Sequence, residues 1–199
     1  FFFKQKTAYE IVDCDWSSDV CSSDLSPALI RALLRPDDRM ACCELRDDDS
    51  ALLRRVLRAE PRAAVHRRDA WEAVTALLPP KQTRGLVLID PPFEATDEFE
   101  RLERALRHGL RRFATGCYAI WYPVKDEPAV ARFFATLGGL KSLHLELRVP
   151  VTAPGKLSAC GMTVINPPWK FEEAMRQSLP WLAEMLGGQA SVTAPASGG

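Results

Sequence analysis

The sequence has no excess of either charge: Lys and Arg together number 26, and so do Asp and Glu. Bulk electrostatics therefore points to neither a nucleic-acid nor a membrane partner. No apolar run approaches the roughly 20 residues needed to cross a bilayer, and no basic start leads into an apolar stretch and a small-residue cleavage site. A soluble, cytoplasmic protein is expected. Metal ligands are sparse too. There is no Cys-x-x-Cys, and His66, His108 and His144 stand singly, so no metal centre is expected. Cys42, Cys43, Cys117 and Cys160 lie in apolar, strand-like surroundings and read as reduced core residues rather than disulfide partners.

Arginine is missing from residues 1–25, although the chain has it from Arg31 onward. The basic groups of that segment are Lys4 and Lys6, and Ser17 to Asp24 follows neither helical nor strand periodicity. Lys4 to Ile11 and Asp15 to Leu25 resemble the translated constant blocks of a DNA-sequencing adaptor, with Val12-Asp13-Cys14 where a variable index would be read. Residues 1–25 are accordingly expected to be non-native, with true upstream sequence missing. The basic and acidic counts without them are 24 and 21, a slight positive excess.

From Arg39 onward, strand-like and helix-like patterns alternate, as expected of one α/β domain with a mostly parallel sheet. Met40 to Leu45 and Ala63 to Arg67 read as strands. Asp47 to Arg58 reads as a helix with Leu52, Leu53, Val56 and Leu57 on one face, and a second helix carries Trp71, Val74, Leu77 and Leu78 up to Pro79-Pro80. Gly85 to Ile89 is a continuous apolar run of the kind covered on both faces in a central strand. A helix marked by Phe99, Leu102, Leu106, Leu110 and Phe113 follows, then a strand from Cys117 to Tyr122 and a helix through Val130, Phe133, Phe134 and Leu137. Leu143 to Val149 alternates and should bury one face. It is expected to pair antiparallel with Met162 to Ile165 across the turn at Thr152-Ala153-Pro154-Gly155. Phe171 to Leu186 reads as a helix interrupted at Pro180, and 187–199 as a disordered tail, so the domain is expected to span 26–186.

Asp90-Pro91-Pro92-Phe93 closes the apolar run. An exocyclic adenine amine is a poor nucleophile because its lone pair is delocalised into the ring. Acceptors close to the amine localise that pair. A carboxylate followed by proline at a strand end offers a side-chain acceptor and a main-chain carbonyl on a stiff turn, with no competing N–H from either proline. Asp90 and the Pro91 carbonyl could hold the two amine hydrogens and stabilise the positive charge that grows during alkyl transfer, while Phe93 supplies an apolar face for stacking. The plainer reading is that Asp-Pro-Pro ends the strand, Asp90 satisfies nearby amides and Phe93 is core.

Three ordered blocks extend the pattern: Gly85 to Glu94, Arg112 to Pro123 and Gly161 to Trp169. They resemble the J-type bacterial large-subunit (23S) ribosomal RNA adenine-N6 methyltransferases, and the similarity spans most of Arg39 to Leu186. The resemblance implies a Rossmann-like methyltransferase that takes S-adenosylmethionine as methyl donor and acts as a monomer on protein-free 23S ribosomal RNA. It also implies Asp90, Pro91, Pro92 and Phe93 as catalytic residues. Glu44 matches the acid that holds the cofactor ribose, Asp69 matches the residue that binds the cofactor adenine, and Asp90 borders the same pocket. Ala70 replaces the glycine usual after Asp69, and a helix N-cap is the alternative role for that aspartate. The family's Gly-rich loop, first strand and inserted helical segment precede the region that resembles it, so this chain is expected to lack them. A fragment inactive alone is the expectation; a DNA adenine methyltransferase and a non-catalytic RNA-binding remnant are the alternatives.

Asn166-Pro167-Pro168-Trp169 fits the same general pattern as Asp90 to Phe93. It follows an expected hairpin and is uncharged, so it reads as a structural or RNA-facing turn, with lining of the adenine pocket as the lesser alternative. Arg101, Arg104, His108 and Arg111 fall at helical three-and-four spacing and could track phosphates. Glu98, Glu100 and Glu103 are interspersed, which also fits a solvated mixed-charge face.

Overall fold

A computed structural model describes residues 2–4, 25–93, 95–151 and 156–194. The strands are β1 (Phe2–Lys4), β2 (Met40–Glu44), β3 (Ala63–Arg67), β4 (Leu86–Asp90), β5 (Cys117–Pro123), β6 (Ser142–Arg148), β7 (Ala159–Ile165) and β8 (Gln189–Thr193). The helices are α1 (Leu25–Leu33), α2 (Asp47–Val56), α3 (Ala70–Leu77), α4 (Glu98–Arg112), α5 (Glu127–Thr136) and α6 (Phe171–Met185). The strands form one sheet in the order β3-β2-β1-β4-β5-β7-β6-β8. Pairing is parallel from β3 to β5 and antiparallel from β5 to β8. This is the expected α/β arrangement, with its C-terminal hairpin formed by β6 and β7.

The larger core joins Val87, Ile89, Tyr118 and Ile120 to the inner faces of α3, α4 and α5, through Val74, Leu102, Leu106 and Phe133. The other face is thinner. Met40 and Cys42 pack there with Leu53 and Leu57, and Ile30, Leu34 and Leu88 lie at its margin. Both faces of the run at Gly85 to Ile89 thus carry core, as expected, but unequally. Val87 and Ile89 are buried, but Leu86 is 46% exposed. A continuous apolar run reports hydrophobicity on both faces without reporting how much chain is present to cover each.

Three expectations are revised. The strand position next to β4 is not a gap, because Phe2–Lys4 pairs there in parallel with both β2 and β4. Two neighbouring strands would otherwise present unmatched amides and carbonyls toward each other, and even three residues satisfy some of them. Helix α6 runs continuously through Pro180, which removes one backbone donor but leaves the surrounding turns intact. The tail from 187 is also ordered in part. Gly187, at φ 65°, stops α6, and the Gly187 and Gly188 amides donate to the Glu184 and Ala183 carbonyls at 3.0 and 2.8 Å. The chain then turns into β8, whose Ala190 and Val192 alternate with more exposed Gln189, Ser191 and Thr193 beside β6. The turn expected at Thr152 to Gly155 lies outside the described residues.

Candidate active site

The parallel strands end together at one edge. In register, Phe3 pairs with both Cys43 and Ile89, so Glu44 and Asp90 come level on either side of Lys4. Their Cα atoms are two strand spacings apart, about 10 Å. Sheet order reverses direction here: β2 and β3 lie on one side of β1, and β4 and β5 on the other. The crevice at the carboxyl ends of such strands is where open α/β sheets take their ligands.

Glu44 is 2% exposed, and its Oε1 accepts from the Arg46 amide at 3.0 Å. That bond fixes the carboxylate at the strand-to-helix turn. Beside it, burial pushes the Cys43 thiol up to about 12, so it is a neutral core group. Asp69 stands at the same edge, at the start of α3. Its Oδ1 accepts from the Trp71 amide at 2.7 Å, which makes it the helix N-cap.

The Asp90 segment leaves β4 as a stiff, partly buried turn. Pro91 is buried, and Asp90, Pro92 and Phe93 are half-buried. Proline restricts the residue before it as well as its own φ, so two successive prolines hold the Asp90 and Pro91 backbones extended. Phe93 then adopts φ 53°, a left-handed conformation costly for a bulky side chain. Its ring lies 5.0 Å from Phe99 and 6.3 Å from Trp121, centroid to centroid. Phe93 thus belongs partly to an aromatic cluster, a contact set that sequence reasoning missed. The signal was available in the aromatic residue near the end of the strand paired with β4, since Ile89 lies opposite Ile120 and Trp121 follows.

Asn166 is elsewhere. Strand β7 runs antiparallel to β5, pairing Ile165 with Tyr118, so Asn166 emerges at the opposite edge of the sheet from Asp90. Two strands and four residues separate them, on the order of 15 Å. The Asn166 Nδ2 donates to the Ala114 and Gly116 carbonyls at 2.8 and 2.9 Å, tying down the turn before β5. Asn166 therefore serves as a structural turn remote from Asp90.

The four-residue row on α4 opens onto a groove of about 480 Å³ between α3 and α4, lined by Trp71, Asp97, Arg101, Arg104, His108 and Arg111 among others. Asp97 pairs with Arg101 at 2.8 Å, and that hydrogen bond raises the arginine above its ordinary range. The described residues hold no group of His, Cys, Asp and Glu suited to a metal, and no helix among them is long and apolar enough to cross a membrane.

Comparison with known proteins follows the same geometry. The family described as "RsmJ: Ribosomal RNA large subunit methyltransferase D, RlmJ" matches residues 19–194. The Ribosomal RNA large subunit methyltransferase J of Escherichia coli is 41% identical over 165 residues, covering 81% of this chain and 59% of that protein. The crystal structure of protein LPL1258 from Legionella pneumophila superposes with a TM-score of 0.80 at 27% identity, over 86% of this chain and 66% of its own. An O-methyltransferase from Bacillus cereus, in complex with SAH, shares the fold at a TM-score of 0.54 and 12% identity, over 82% of this chain and 73% of its own. The chain spans 59% of the length of the curated relatives it matches. Residues 1–84 contain no glycine, so the described edge carries no Gly-rich turn.

Proposed function

Because the chain belongs to the RlmJ family of large-subunit ribosomal RNA methyltransferases, we propose that the full-length protein transfers a methyl group from S-adenosylmethionine to the N6 amine of an adenine in 23S ribosomal RNA. The observation that carries this reading is the alignment of Glu44 and Asp90 at one edge, on the two sides of the point where strand order reverses. The enzyme works in the cytoplasm as a monomer on protein-free RNA.

The residues present fit part of the donor. Glu44 is a fixed carboxylate suited to accept from two ribose hydroxyls, with one oxygen already oriented by the Arg46 amide. Asp69 lies where the donor's adenine would end, with one oxygen spent on capping α3. S-adenosylmethionine supplies an electrophilic methyl on a sulfonium. Asp90 accepts one hydrogen of the target amine and the Pro91 carbonyl the other, which pulls the nitrogen lone pair out of the ring and aims it. Both acceptors are held on a turn stiffened by proline, so they stabilise the developing positive charge without reorganising. Phe93 presents its free face to the base, and its left-handed backbone with the Phe99 and Trp121 contacts fixes where that face points. Residues 1–84 hold no glycine, so no Gly-rich turn of the described edge closes on the donor, and the activity proposed is that of the full-length protein.

The test is methylation by the full-length parent, with labelled S-adenosylmethionine offered to protein-free 23S ribosomal RNA and to duplex DNA. Label recovered as N6-methyladenosine from the RNA alone is expected; label confined to DNA would overturn the substrate assignment.

A further inference from the structure

The groove between α3 and α4 is not used by the chemistry at Asp90, yet it is lined by three arginines and a histidine. Arg101, Arg104, His108 and Arg111 line it from one side of α4, a row of about 15 Å at 1.5 Å per residue. Arg101 is neutralised by Asp97, the acidic residue in the lining. Arg104 and Arg111 are exposed and form no ion pair among the described residues. Both flanking helices start at the edge that carries Glu44, Asp69 and Asp90, so Trp71, Asp97 and Arg101 mark the end of the groove nearest that edge.

A second observation points to a ligand. Trp71 and His108 both line the groove, and the Trp71 Nε1 and His108 Nε2 are buried beneath its surface with no hydrogen-bond partner among the described residues. Buried indole donors usually find an acceptor, and leaving one unpaired is costly. Two unpaired polar atoms under a groove rimmed by the unpaired guanidinium groups of Arg104 and Arg111 suit an acceptor-rich, anionic ligand that supplies oxygens at several points along a line. We propose that this groove takes the phosphodiester backbone of the substrate RNA and leads the strand toward the Asp90 edge. The proposal rests on the ribosomal RNA reading above and adds the surface that holds the RNA. The i,i+4 pairs Asp97–Arg101 and Glu103–Arg107 are local support for α4, which separates them from Arg104 and Arg111 as the free phosphate contacts.

The experiment measures the affinity of the chain for a protein-free 23S ribosomal RNA segment between 50 and 200 mM salt, about the range over which counterion release is read. Arg104→Gln with Arg111→Gln should weaken binding at least about tenfold at the low end and flatten the log–log salt slope by about 1.4 to 1.8, the value for two lost phosphate contacts. Arg104→Lys with Arg111→Lys should keep the slope. Arg132→Gln, an exposed change on α5, should leave both quantities unaltered. An unaltered slope in the glutamine pair, or an equal loss in Arg132→Gln, would overturn the groove as the RNA path. Thermal melting of each variant accompanies the binding series, and the lysine pair separates charge from packing if the glutamine pair melts early. Failure of the groove leaves wild-type methylation of ribosomal RNA intact, whereas failure of the substrate reading removes it.

Discussion

Asp90-Pro91-Pro92-Phe93 and Asn166-Pro167-Pro168-Trp169 have the same outline: an acceptor-bearing residue at a strand end, two prolines and an aromatic ring. Each includes a left-handed residue, Phe93 at φ 53° in one and Asn166 at φ 52° in the other. Their settings differ in every respect that matters for chemistry. Asp90 lies at the edge where parallel strands end and sheet order reverses, level with Glu44. Asn166 lies at the opposite edge, with its carboxamide committed to two carbonyls of the turn before β5. Phe93 packs against two other rings, whereas Trp169 is 86% exposed beside the Lys170 ammonium. A tetrapeptide pattern thus says what groups are on offer, and only the direction of the strand before it says where they are offered.

After the rate loss expected at Asp90, the largest effect that would sharpen this contrast is on donor binding in the full-length protein. Glu44→Gln keeps an oxygen for the Arg46 amide but removes the charge, and should weaken S-adenosylmethionine binding between roughly ten- and a hundredfold in calorimetry. An unchanged affinity would separate Glu44 from the site. Next in size, Asn166→Ala should cost about 2 kcal/mol in urea denaturation, because two carbonyls lose their donor and alanine is poorly suited to positive φ. Asn166→Gly relieves the second cost and should lose less. If the alanine variant is as stable as wild type, the anchoring role fails.

A smaller effect comes from acid. Burial beneath the Phe134 ring, 4.1 Å between centroids, holds His144 below its ordinary value of 6.5. The unfolded chain then binds a proton more readily than the folded one. This contribution to stability is complete above about 6.5 and is lost as pH falls through the lower folded value. Denaturation midpoints at pH 7.5 and 5.0 should diverge in wild type, and diverge less in His144→Gln. The smallest expected effect is Trp169→Ala, which should change stability by less than about 0.5 kcal/mol, since the ring is mostly in solvent.

Much of the fold was legible because helices and strands here obey their own periods. Strand β3 occupies the residues read as a strand, and the antiparallel pairing of β6 with β7 follows from alternation and a turn signal. Strand β8 was equally legible in retrospect: Gln189 to Thr193 alternates polar and apolar residues, but small side chains and flanking glycines make that run look like low-complexity tail. Pro180 misled for a different reason, since a helix can lose one backbone bond and continue. At the candidate site, the strand-end positions of Asp90 and Glu44 could be picked out from chain order. The N-cap role of Asp69 was legible too, as the alternative weighed for it, but the packing of Phe93 on Trp121 depends on strands brought together by the sheet. Local sequence carries no record of such contacts.

The central claim is that the two Pro-Pro turns divide their labour, one for chemistry and one for anchoring. Single-turnover methylation of protein-free 23S ribosomal RNA by the full-length protein, with donor saturating, measures this directly in Asp90→Ala and Asn166→Ala. The expected result is a fall of at least about a hundredfold in the first, with donor affinity largely retained, and a rate within a few fold of wild type in the second. A wild-type rate in Asp90→Ala, or a comparable collapse in a folded Asn166→Ala, would contradict it.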